Sequence, residues 1–134
     1  MTAPSAIAGR PVEQTWAMRA LRAVAVLHVV VLLTQAVTAG LLLSSPGGRA
    51  LHLASAGAVA VVALLHLVLA ILVWRPAGGP AGFIPLAASM LVFTVVAAVL
   101  GMAHVKAVHV PLGVMLFGGG VMQLQRVMAR QARA

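Results

Sequence analysis

Four long apolar runs, each closed by a short polar or glycine- and proline-rich break, dominate this chain. The first runs from Leu21 to Leu43 and the second from Leu51 to Trp74. The third runs from Phe83 to His104 and the fourth from Val108 to Gln125. A bilayer-crossing helix needs about 20 apolar residues, so each run predicts one membrane span. The breaks carry turn chemistry: Ser44 to Arg49, Pro76 to Gly82, and a tight connection around Val105, Lys106 and Ala107. Pro85 and Pro111 lie near helix starts, where proline is tolerated. The predicted fold is a single all-α, integral membrane four-helix bundle of up-down-up-down topology over residues 1–134.

Composition supports the same solvent. Of 134 residues, 63% are hydrophobic and 7% charged, and the mean hydropathy is +1.12. A soluble domain carries about 25% charged residues, so this chain has little to show to water. The polar first 16 residues precede an apolar run too long for a signal-peptide core, which reads as a retained first span. With no cysteine, disulfides, thiolate zinc sites, iron–sulfur clusters and covalent c-type haem attachment are excluded.

The net charge is +8, which raises the question of nucleic acid. Its distribution points instead to lipid headgroups, because the cations flank the apolar runs. Arg10, Arg19, Arg22, Arg75, Arg126, Arg130 and Arg133 fall on one side, and Arg49 and Lys106 on the other. The richer side is expected to face the cytoplasm, placing both termini there. The expected location is a bacterial inner (cytoplasmic) membrane, with the lipid bilayer as partner and no nucleic acid.

The chemistry within the spans is imidazole. His28, His52, His66, His104 and His109 all lie in or at the ends of spans, and the one acidic residue is Glu13 in the N-terminal tail. Ionisable groups in a membrane are costly and tend to be functional. His52 and His66 are separated by roughly 21 Å of helix and point almost the same way. Small residues Ala56, Gly57 and Ala63 lie near that face. His52, His104 and His109 fall at the outer level, and His28 and His66 at the inner level. Histidines at matched heights on different helices suit bis-His ligation of haem b, which takes one imidazole from each side of the ring.

This reading expects His52 with His109 outside and His28 with His66 inside, His104 being an alternative outer ligand, for one or two haems. Arg49 and Lys106 outside, and Arg22, Arg75 and Arg126 inside, are candidate propionate partners. Gln35, seven residues from His28, is a candidate pocket-lining residue. Thr34 and Thr38 are expected to hydrogen-bond within the bundle. Another metal, a quinone or plain helix–helix hydrogen bonding would also account for intramembrane histidines. Gly113 and Gly118 to Gly120 permit close helix packing and a homodimer. Met102 and Met115 read as filler beside their capacity to ligate iron.

His52 near the outer start of the second span and His109 near that of the fourth resemble one half of a haem A synthase. The segment from Ala103 to Gly113 looks like the start of the fourth helix in that family. The resemblance implies a four-helix half that offers one histidine pair from its second and fourth helices. The family's acidic residue near its first histidine and its loop cysteines have no counterpart here, which points away from oxidation of a haem methyl group. The His52/His66 spacing resembles the paired histidines of respiratory cytochrome b.

Three functions follow as expectations. The first is a membrane b-type cytochrome transferring electrons, with a quinone or a redox partner protein. The second is a haem-handling or haem-modifying protein related to haem A synthase. The third is a non-haem accessory subunit of a membrane complex. A proton-coupled drug transporter would need an intramembrane carboxylate, and the spans contain none.

Overall fold

The computed structural model describes residues 16–75 and 77–129. Four α-helices account for most of them: α1 (Trp16–Ser44), α2 (Gly48–Trp74), α3 (Ile84–Met102) and α4 (Lys106–Ala129), with a short 3-10 turn at Ala81–Phe83 leading into α3. All four are long and apolar enough to cross a membrane. The 27 residues of α2 give a rod of about 40 Å, longer than the hydrocarbon core of a bilayer. The protein is an all-α four-helix bundle and a multi-pass membrane protein. Arg10, Arg130 and Arg133 of the predicted basic tails lie outside the described residues.

Helix ends follow local chemistry. Between α1 and α2 the chain turns at Gly47, whose φ of 86° favours glycine. Gly48 then packs so tightly on the Leu41 carbonyl that a Cβ there would overlap it. Before α3, Pro85 sits in the first turn, where its missing N–H costs nothing. Several boundaries differ from the sequence expectation. Helix α1 starts at Trp16 rather than Leu21, and α2 at Gly48 rather than Leu51. Helix α4 runs from Lys106 to Ala129 rather than from Val108 to Gln125, which puts Pro111 inside the helix instead of at its start. The third span was expected to close on His104, but α3 stops at Met102 and His104 lies in the connection with φ 60°. The three-residue connection before α4, Ala103 to Val105, makes that left-handed turn.

Each helix packs on its two neighbours in a square: α1 on α2 and α4, and α3 on α2 and α4. Helices α2 and α4 therefore stand diagonally. Contacts between α1 and α2 run antiparallel, Thr38 meeting Ser55 and His28 meeting His66. Two apolar clusters fill the interior. One, at the end holding Arg19 and Arg75, gathers Leu21, Ala25, Ala70, Val73, Phe83 and Val127. The other gathers Leu32, Val59, Met90, Ala97 and Leu116. Val30, Leu33, Val61, Leu64, Val95 and Val114 point outward, as lipid-facing positions should.

Candidate functional site

Polar side chains inside the bundle collect at two levels. The inner level holds His28 of α1 and His66 of α2, both about 1% exposed. Their Nδ1 atoms are 3.2 Å apart and their ring centroids 5.4 Å apart. The rings thus meet end-on, which turns their Nε2 atoms away from each other. Both Nε2 atoms are buried without a hydrogen-bond partner among the described residues.

Gln123 of α4 belongs to this level. Gly120, one turn outward of it, packs beside Leu32 and Val29 of α1. Val127, one turn inward, joins the inner apolar cluster. Gln123 is also about 1% exposed, and its amide nitrogen and oxygen are both unpartnered among the described residues.

The outer level draws on all four helices. His52 of α2 and His109 of α4 face each other across the diagonal, with ring centroids 6.3 Å apart and planes at 80°. His109 Nδ1 lies 2.8 Å from the Ala97 carbonyl of α3. A carbonyl only accepts, so this nitrogen carries the proton and Nε2 keeps a lone pair. Gly101 makes the placement possible, because a Cβ there would lie 3.0 Å from His109 Cε1.

His52 sits in a side-chain network from α1 and α2. Its Nδ1 is 3.3 Å from Thr38 Oγ1. The Thr38 hydroxyl lies 2.8 Å from Ser55 Oγ and within 3.0 Å of the Gln35 backbone carbonyl, to which it donates. The Ser55 hydroxyl donates to Gln35 Oε1, which orients the Gln35 carboxamide. Its NH2 end then lies 3.3 Å from His52 Nδ1 and 3.2 Å from Nε2. Near-equal distances to both nitrogens do not suit an in-plane bond to either. They fit an amide N–H packed over the ring face. Thr38 Oγ1 is then the in-plane partner, accepting from Nδ1–H, and His52 Nε2 also keeps its lone pair.

The structure thus brings together both expected pairs, His52 with His109 and His28 with His66. His104 is exposed, in the connection, and the ring facing His52 is that of His109. Gln35, the candidate pocket-lining residue, lies at the outer level beside His52. Arg49 and Lys106 are exposed at the outer end, Arg75 and Arg126 at the inner end, and Arg22 is half-buried there. Thr34 donates to the Val30 carbonyl of its own helix.

Sequence reasoning overlooked Ser55, Gly101 and Gln123. Ser55 was within reach of it, being three residues after His52 and so on the same helical face. Gly101 and Gln123 act through neighbours on other helices and carried no local signal. No ion pair involves the site, and no group of three or more His, Cys, Asp or Glu side chains that could hold a metal ion occurs among the described residues.

Comparison with models of known protein families, with curated proteins and with solved structures finds no match for this chain.

Proposed function

We propose that this protein is a b-type haem protein of a bacterial cytoplasmic membrane, holding haem between His52 and His109 and passing electrons to or from a quinone or a partner protein. One observation carries the reading. Two imidazoles on diagonal helices face each other, His109 with Nδ1 tied to the Ala97 carbonyl, and His52 with Nδ1 beside Thr38 Oγ1 and the Gln35 amide nitrogen 3.2 Å from its Nε2. Metal-binding histidines are typically held in this way, the second nitrogen fixing tautomer and ring orientation.

Spacing distinguishes the two levels. Imidazole nitrogens bind metals at about 2 Å, so two that would hold one metal need room between them. The outer ring centroids are 6.3 Å apart and the inner ones 5.4 Å apart. The inner pair, with nitrogens 3.2 Å apart, has a hydrogen-bond separation and no gap for a macrocycle. We therefore place one haem at the outer level and none between His28 and His66. Haem would supply a one-electron centre. The chain would supply orientation through His52 and His109, and cations for the propionates through Arg49 and Lys106. The arginine-rich end, with Arg19, Arg22, Arg75 and Arg126, faces the cytoplasm in this reading.

Purification of the full chain in detergent, from cells able to make haem b, tests this. A Soret band and a reduced-minus-oxidised α-band are expected, with about one haem per chain by pyridine haemochrome assay. His52→Ala and His109→Ala should each alter that spectrum or lose the haem, and His28→Leu should keep it. A colourless wild-type protein ends the proposal.

A second reading, transient haem carriage, is favoured by one feature. Residues 101–108, around the outer end of the site, are all exposed. Rapid transfer of haem from the purified protein to apomyoglobin would select carriage over electron transfer.

A further inference from the structure

The two outer histidines are held by unequal means. His109 Nδ1–H is bound to a main-chain carbonyl, that of Ala97, at 2.8 Å. That oxygen belongs to the frame of α3 and cannot rotate. The ring also rests against bare backbone at Gly101, so nothing on that side swings away to release it.

His52 is held more loosely. Its Nδ1 partner is a hydroxyl at the longer distance of 3.3 Å, on a side chain whose own proton is donated to the Gln35 backbone carbonyl. The Gln35 amide lies over the ring face rather than in its plane. His52 is also in the second turn of α2, close to the turn at Gly47, where helices fray most readily.

We propose that His109 is the fixed ligand and His52 the exchangeable one, so that the iron binds a small neutral diatomic molecule on the α2 side. This rests on the haem reading above. A rotated His52 leaves that side of the ring facing the Gln35 amide, whose NH2 end is a hydrogen-bond donor held in place by the Ser55 hydroxyl on its Oε1. Donors in a distal pocket help decide whether a diatomic ligand is held on haem iron. Leu51 and Leu53 flank His52 in the chain and Val108 flanks His109, and all three are exposed and apolar, so a nonpolar gas meets lipid-facing side chains at this level. The site has no carboxylate among the described residues, and Arg49 and Lys106 are exposed. No fixed negative charge therefore competes for the donors.

Carbon monoxide titration of the dithionite-reduced, haem-loaded full chain is the test. The wild type should give a carbon monoxide difference spectrum whose binding rate saturates with gas concentration, because His52 must leave first. Thr38→Val removes the acceptor of His52 Nδ1–H with little change of shape. It should raise carbon monoxide affinity about tenfold, the low end of what loss of an outer-shell partner costs a metal ligand. His52→Ala should keep haem and bind without saturation of the rate. His109→Ala should lose haem or fail to form the same adduct.

The proposal is overturned if His109→Ala keeps haem and binds freely while His52→Ala loses it. It is equally overturned if the two variants behave alike, or if neither the wild type nor Thr38→Val binds carbon monoxide. A wild type with no haem spectrum instead removes the reading beneath it, so the two failures are told apart.

Discussion

The Nδ1 atoms of His28 and His66 meet 3.2 Å apart in the middle of the bundle, between two helices and sealed above and below by apolar clusters. One proton must lie between two such nitrogens, so one ring donates and the other accepts. The outward-turned Nε2 atoms then differ as well, one carrying hydrogen and one a lone pair. Gln123, at the same level, offers one donor end and one acceptor end. Neither the Nε2 atoms nor the two ends of the Gln123 amide have a hydrogen-bond partner among the described residues.

A double-mutant cycle reads the strength of that contact. His28→Leu and His66→Leu each strand a buried imidazole, at about 1–3 kcal/mol of stability. The double variant should cost clearly less than the two singles combined, because no polar atom is left waiting for a partner. Steric-trapping or denaturant unfolding in mixed micelles measures it. Additive costs would show that the two rings do not depend on each other.

Gln123 gives a prediction of opposite sign. Both its amide atoms are buried without a partner among the described residues, so Gln123→Leu should be neutral or stabilising by about 1 kcal/mol. Gln123→Ala should be destabilising, since it leaves a hole in a buried layer. Loss of more than about 1 kcal/mol in Gln123→Leu would mean that the amide is satisfied in the membrane.

Two glycines separate a packing requirement from general helix propensity. Gly57 has open space where a Cβ would stand, so Gly57→Ala should leave thermal stability in detergent unchanged or raised by a few degrees. At Gly101 a Cβ would meet the His109 ring. Gly101→Ala should therefore lower the melting temperature and Gly101→Val lower it further. Equal responses at both sites would contradict the placement of His109.

Orientation is open to chemistry because the chain has no cysteine. In whole cells, Ser45→Cys, in the turn between α1 and α2, should react with a membrane-impermeant maleimide. Ala77→Cys, beyond α2, should react only after the membrane is opened. The reverse pattern would turn the bundle over and place the arginine-rich end outside.

Much of this architecture was readable along the chain. Four apolar runs of spanning length, broken by Pro46-Gly47-Gly48, by Pro80-Ala81-Gly82 and around Lys106, determine four helices, because a bilayer leaves the backbone no other way to satisfy its hydrogen bonds. Helical rise alone put His52 level with His109 and His28 level with His66, since depth along a straight helix follows from residue count. Short connections then make neighbouring helices antiparallel.

Lateral packing was beyond that reach. Only the folded bundle decided that α2 and α4 stand diagonally, that the inner imidazoles meet at 3.2 Å, and that the outer ones stand 6.3 Å apart by centroid. In a chain apolar on every face, periodicity does not mark which side of a helix faces lipid and which faces protein. The rotation of each helix is set by close fits between distant residues, such as Gly120 on Leu32 or Gly101 beneath His109. Hydrogen-bond partners depend on that rotation. Depth is therefore a property of one segment, and partnership a property of four.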